Sequence, residues 1–213
     1  MATKAVQQVV ISAPMMKRAR FQLVGTAPLM TARFSKKAEI MASQAEGGRS
    51  RSKKERREKD WDKEWDSAAY KAPDGWYGIN ASAFRNASIS ACRLVGFKMT
   101  IAKLSVFVLA DGYDAEDSLP LVRITKGEPQ ASFMRVRNAT GVIDIRARPL
   151  WAPGWEMSPV IQWDAAQFSL EDISNLIARV GLQVGVGEGR PDSRESAGLG
   201  YGLFDIAGVE LFE

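Results

Sequence analysis

The chain has 213 residues, 46% of them hydrophobic, enough to bury one substantial core in a single domain with elaborations. Histidine is absent and cysteine occurs once, as Cys92, which excludes Ser-His and Cys-His nucleophile pairs, histidine bases, an intrachain disulfide and cysteine-rich zinc sites. The formal charge is +4, no run reaches the roughly 18 apolar residues of a membrane span, and no charged-then-apolar leader opens the chain. A soluble protein with no membrane partner is expected.

The charge is unevenly placed. Between Arg49 and Lys59 lie seven Lys/Arg and two Glu, which leaves 22 basic and 23 acidic residues elsewhere. The whole excess sits in one stretch, the pattern of a polyanion-binding arm on a neutral body.

Residues 5–13 are β-rich in character. Over 18–26, Ala19, Phe21 and Leu23 alternate with polar neighbours, the spacing of a half-buried strand, and Pro28 ends that strand or confines it to an edge. From 35 to 75 the composition shifts to a charged, Trp-containing insertion that includes Arg49, Arg51, Lys53, Lys54, Arg56 and Arg57. Its strong helix formers and the one-turn spacing of Trp61 and Trp65 suggest a helix with a thin apolar face. Two readings stand. One is a solvated insertion; the other is an arm that docks on a partner subunit or nucleic acid, with Trp61, Trp65 and Trp76 as anchors.

Residues 82–95 are predicted to be helical, with Ser82 as N-cap, Phe84, Ala87, Ile89 and Ala91 on the apolar side, and Cys92 in the core. Residues 97–110 have the composition of a strand. The acidic group Asp111, Asp114, Glu116 and Asp117 lacks EF-hand spacing and is expected to be a solvated turn. Short β segments follow at 120–124, 133–137, 142–148 and 159–164, and Trp151, Trp155 and Trp163 are expected to pack hairpin faces.

Ser169–Gly181 has the clearest helical pattern. Ser169 and Asp172 approach a capping box, Leu170, Ile173, Leu176, Ile177 and Val180 make one face, and Gly181 is placed to end it. Residues 182–186 and 203–212 are strand-like and flank a glycine-rich loop over 185–204. The resulting order, βαββαβ with long decoration, belongs to the α+β class and to the ferredoxin-like, or RNA-recognition, topology.

The loop holds six glycines with Arg190 and Arg194. Glycine permits close approach to the main chain, and arginine's planar fork matches phosphate oxygens. No Gly-Lys-Ser/Thr follows, so it is not a Walker loop. Pro191, Asp192 and Glu195 disturb the helix start that a dinucleotide fingerprint requires. A simple hairpin connection and a contact with a phosphate backbone both remain open.

Three segments, in order, resemble the RAMP superfamily, whose ferredoxin-like members form the backbones of CRISPR effector complexes. Phe21–Met30 is similar to that family's first strand and Pro-Leu turn. Tyr77–Ala87 is similar to the signature that opens its first helix: Ile79, Ser82 and Ala87 match, Phe84 and Arg85 are similar, and Asn80, Ala81, Ala83 and Asn86 depart from it. Gly185, Arg190 and Gly200–Ile206 resemble its glycine-rich loop and final Gly-Phe-Gly motif. Together these cover about a fifth of the chain. Arg135–Ile145 with Val184–Arg190 also resemble a phage-encoded family.

The resemblance implies a single RAMP-like domain over 1–213 that repeats along single-stranded RNA or DNA, with RNA favoured. It implies homo-oligomeric, filament-like assembly with further effector subunits, in the cytoplasm of a bacterium or phage-infected cell. Implied nucleic-acid contacts are Ser82, Arg85, Gly187, Arg190, Arg194 and Gly200, with the inserted arm acting as a thumb. RNA-cleaving members carry an acidic residue after the first motif. Here Lys36 and Lys37 follow and the first acid is Glu39, so no catalytic residue, metal or cofactor is expected. Alternatives are a phage single-stranded DNA-binding protein of the same fold and a viral assembly protein whose arm grips its neighbour. A histidine-free endoribonuclease ranks last.

Overall fold

The computed structural model describes residues 11–33, 60–137, 143–193 and 198–212. Most of the 5–13 segment lies outside these residues, as do Arg49, Arg51, Lys53, Lys54, Arg56, Arg57 and Arg194. Residues 11–13 have no regular structure.

Strand β1 (Met16–Gly25) follows the alternation in its sequence: Ala19, Phe21 and Leu23 are buried, while Arg18 and Gln22 are exposed. Three strands extend it into an antiparallel sheet. On one side is β12 (Phe204–Phe212); on the other is β11 (Val160–Asp164), which in turn pairs with β5 (Val106–Leu109). A two-residue strand, β10 (Glu156–Met157), continues the β11 side toward the end of β1 and passes the sheet on to β7 (Pro120–Lys126). Beyond β7 lie β4 (Tyr77–Asn80) and β3 (Tyr70–Lys71), with β6 (Gly112–Tyr113) also on β7. A separate three-stranded sheet joins β2 (Leu29–Met30), β9 (Ile143–Trp151) and β8 (Gln130–Arg137).

Helices α2 (Ala81–Ala91) and α4 (Leu170–Arg179) bury Phe84, Ala87, Ile89, Ile173, Leu176 and Ile177 in the core formed with Phe21, Leu23, Ile161 and Phe204. At about 25 cal/mol per Å² of apolar surface, such side chains carry most of the folding energy. The capping box of α4 is complete, for the Ser169 hydroxyl and the Asp172 backbone and carboxylate satisfy each other. Those hydrogen bonds hold the Asp172 carboxyl below its usual range. The structure is therefore α+β, as expected. Among the described residues, no helix is long and apolar enough to cross a membrane.

Four local expectations are corrected. Asn80 caps α2, accepting from the Ser82 amide at 2.8 Å, because Asn80 holds the extended backbone of a cap and Ser82 already lies in the first turn. Residues 97–110 are not one strand: α3 (Met99–Ser105) precedes β5, and the Arg85 guanidinium binds the carbonyls of Lys103 and Val106 at its C-terminal end. Gly181 does not end α4, which runs on through a π turn at Val180–Val184 to Gly185 at φ 73°. Gly181 is instead the site where Phe204 crosses, and a Cβ there would collide with the Phe204 carbonyl. That π turn also occupies residues expected to begin a strand at 182–186.

The three C-terminal tryptophans are fully buried. Trp155 Nε1 donates to the Ala27 carbonyl at 2.8 Å and Trp163 Nε1 to that of Phe168 at 3.0 Å. They are core residues, not stacking platforms. Cys92 is also in the core, where burial raises its thiol pKa.

Candidate nucleic-acid interface

The two residues of β2 organise one end of the molecule. Leu29 and Met30 pair with Trp151 and Leu150 of β9. The same short segment binds the glycine loop: the Pro28 carbonyl accepts from the Gly202 amide at 2.7 Å and that of Met30 from the Glu188 amide at 2.8 Å. Arg148 of β9 closes the triangle, with its Nε 2.9 Å from Glu188 Oε2 and both side chains largely buried. Described residues end here at Arg33 and resume at Asp60. Helix α1 (Trp61–Ser67) begins there, and Trp61 meets Phe133 of β8 edge-on at 5.5 Å. Arm root, hairpin and glycine loop thus come together from segments far apart in sequence.

The glycines of the loop serve two different purposes. Gly187 and Gly202 have φ of 79° and 68°, and a Cβ on either would run into the carbonyl of Met30 or Val186 respectively. Here the close approach is protein on protein. Gly185 is similar, for a Cβ there would lie 2.8 Å from the Tyr201 carbonyl. Gly198 and Gly200 also have positive φ, 62° and 73°, yet among the described residues nothing lies within 4 Å of the position of a Cβ. They form the open rim of the loop. Gly202→Ala is therefore expected to cost more than about 2 kcal/mol, and Gly200→Ala only the roughly 1 kcal/mol of a left-handed backbone. Thermal melts of the two variants check this; equal shifts contradict it.

Arg190 points back into the loop, where its Nη1 donates to the Gly187 carbonyl at 2.9 Å. Asp192 is a fastener: it accepts from the Ser90 hydroxyl and sits 2.6 Å from the Arg93 guanidinium, tying the loop to α2 and the turn after it. Ser82 is exposed at the start of α2. Arg85 lies at the β5 edge of the sheet, three strands from β12, with its guanidinium over the Phe107 ring at 5.7 Å. The glycine loop runs into β12, so Gly187, Arg190 and Gly200 are brought together and Arg85 is not among them.

The β8–β9 hairpin is a second basic element that the bulk charge balance concealed. Residues 130–151 contain Arg135, Arg137, Arg146 and Arg148 against Asp144 alone. Setting aside the arm's seven and the hairpin's four leaves 18 of the 29 Lys/Arg; setting aside two and one leaves 22 of the 25 Asp/Glu. The remaining body is thus acidic on balance. Register places Arg146 opposite Met134 and Arg148 opposite Ser132, on the face that carries the Glu188 contact; exposed Arg135 shares the other face with Phe133. Arginines at alternate positions of a hairpin were the signal available in the sequence.

The acidic group at 111–117 is a turn exposed at Asp111, Glu116 and Asp117, as expected, but Asp114 within it is buried. Arg33, only 7% exposed, lies among it with Nη2 3.1 Å from Asp114 Oδ1 and 3.0 Å from Glu116 Oε2, and Nε 3.2 Å from Asp117 Oδ2. Asp114 is itself 3% exposed and accepts from the backbone amides of Lys71, Glu116 and Asp117. A buried guanidinium requires these carboxylates, which explains their number. The Arg33 amide donates to the Ala68 carbonyl at 3.0 Å, and the Thr31 hydroxyl reaches the same oxygen. The cluster therefore holds Thr31–Arg33, and through them the end of α1 at Ala68, against the β6–β7 turn. Trp76, proposed above as an anchor, is packed over Gly112 with Arg123 above its ring at 5.7 Å.

No family model matches the sequence, and no curated protein matches it. Among solved structures, the fold is similar to that of a chain in the cryo-EM structure of the Type III-B Cmr-beta bound to cognate target RNA. The TM-score is 0.50 at 13% identity, and the match covers 93% of this chain. It covers 61% of the other, so this chain spans about three-fifths of the length of the one it matches. The likeness is one of fold.

Proposed function

We propose that this chain is a non-enzymatic subunit that binds single-stranded nucleic acid, RNA by preference, and assembles head to tail along the strand. The observation that carries the reading is the junction at β2. It gathers the root of the basic arm, an arginine-bearing hairpin and the open rim of the glycine loop at one end of an otherwise acidic body. Localised positive charge supplies affinity for phosphates, and rim glycines with space where a Cβ would stand let a strand approach the main chain.

Two further points support it. The strand order β12-β1-β11-β5, all antiparallel, with α2 and α4 on the connections, supports the ferredoxin-like reading of the core. The similar fold occurs in a complex that holds RNA, in keeping with the RAMP-like motifs in the sequence. In this reading the β8–β9 hairpin and the arm flank the strand, and the rim at Gly198 and Gly200 lies beside it. Further effector subunits are its natural partners.

The test is retention. Purified full-length chain is mixed with labelled single-stranded RNA of about 30 nucleotides and magnesium, then separated on native and denaturing gels. Retention of an intact strand is the expected result. Absence of a complex at low salt overturns binding, and shortened products overturn the non-enzymatic assignment.

A further inference from the structure

No strand among the described residues covers the edge of the main sheet opposite β5. Among the described residues, β12 pairs with β1 alone, leaving its outer edge unpaired along nine residues. Val209 and Leu211 lie opposite buried Phe21 and Ala19, yet they are 42% and 46% exposed. Long, partly apolar strand edges are templates for another strand.

The same chain carries a segment suited to that edge. Residues 5–16 contain no charged side chain, and Val6, Val9, Val10 and Ile11 are β-branched. Val9 and Ile11 share one face at strand spacing. Ile11, Met15 and Met16 are 90%, 59% and 40% exposed, an apolar run left in water by a single copy. Its direction matters most. The Met15 amide donates to Asp164 Oδ1 at 3.1 Å, and its carbonyl accepts from the Ala165 amide at 2.7 Å. The segment is therefore tied to the β11 side of β1, whereas β12 lies on the other side.

We propose that residues 5–12 of one copy add as a strand to the outer edge of β12 in a second copy, setting Val9 and Ile11 beside Val209 and Leu211. Main-chain hydrogen bonds supply affinity and the alternating apolar side chains supply register. Donor and acceptor are different surfaces, so the contact is heterologous, of the head-to-tail kind that leaves a donor and an acceptor at the ends until a ring closes. The inference deepens the assembly part of the proposed function, on which it rests, and names the elements that would carry it.

Sedimentation velocity without nucleic acid, over about a hundredfold range of protein concentration, provides the test. The full chain should gain mass with concentration. Deletion of residues 1–12 and the substitution Leu211→Lys should each weaken self-association by about tenfold or more. Leu211 is exposed, so the lysine needs no core rearrangement and serves as a second variant beside the deletion. A synthetic peptide of residues 4–13 should bind the truncated chain and not L211K. Self-association of the truncated chain equal to that of the full chain overturns the proposal, as does a full chain that stays monomeric throughout. Anisotropy of a short RNA on the truncated chain reads the β2-end interface separately, so failure of strand addition and failure of RNA binding are distinguishable.

Discussion

Replacing Arg49, Arg51, Lys53, Lys54, Arg56 and Arg57 together with serine is expected to weaken single-stranded RNA binding by about 100-fold or more at moderate salt. Each cation that neutralises a phosphate releases condensed counterions, with a slope near 0.7 per contact on single strands, so six contacts correspond to a slope loss of about 4. The variant should fold normally, because Arg33, Thr31 and Ala68, which hold the root of the arm, are untouched by the substitutions. Fluorescence anisotropy against salt concentration measures both the affinity and the slope. The competing reading, in which the arm grips a neighbouring subunit, predicts unchanged binding of a strand too short for two copies and a loss of self-association.

The largest expected effect on stability is at Arg33. Arg33→Ala leaves Asp114, 3% exposed, as a buried carboxylate without its cation. Breaking such a pair costs about 3–5 kcal/mol. At about 2–4 °C per kcal/mol for a domain of this size, the melting temperature falls by roughly 10 °C. The arginine cannot relieve the cluster by losing its proton. Burial opposes its charge, but the Glu116 hydrogen bond and the charges of Asp114, Glu116 and Asp117 outweigh that and raise its pKa above the ordinary value. Glu116 is 58% exposed at its side chain, so Glu116→Gln should cost about 1 kcal/mol or less. Circular-dichroism melts of the two variants separate these effects. Comparable, small shifts would show that the cluster is dispensable.

What the sequence disclosed was local. The alternation of Ala19, Phe21 and Leu23 specifies β1, and the Ser169–Asp172 box with its apolar stripe specifies α4; both are written within a few residues. Met99–Ser105 has the look of a strand because Thr100 and Ile101 are β-branched, while the helix end is satisfied by Arg85 from another element. The glycine loop is recognisable as glycine-rich, but not the division of labour within it. Gly187 and Gly202 are fixed by Met30 and Val186, partners that no spacing rule reveals. Arg33 lies about 80 residues from the acids that surround it, so nothing in their local spacing marks Asp114 as the buried one. The hairpin arginines are visible, yet the chain-wide charge balance averages them away against the acidic body.

The central claim is that the β2 end binds a nucleic-acid strand through its phosphates. The most direct measurement is the affinity of the full chain for labelled single-stranded RNA at two salt concentrations, about 50 and 200 mM, with single-stranded DNA in parallel. The expected result is a saturable complex with RNA that weakens by about 100-fold or more between the two conditions. No binding to either polymer at the lower salt, or binding that salt leaves unchanged, contradicts the account.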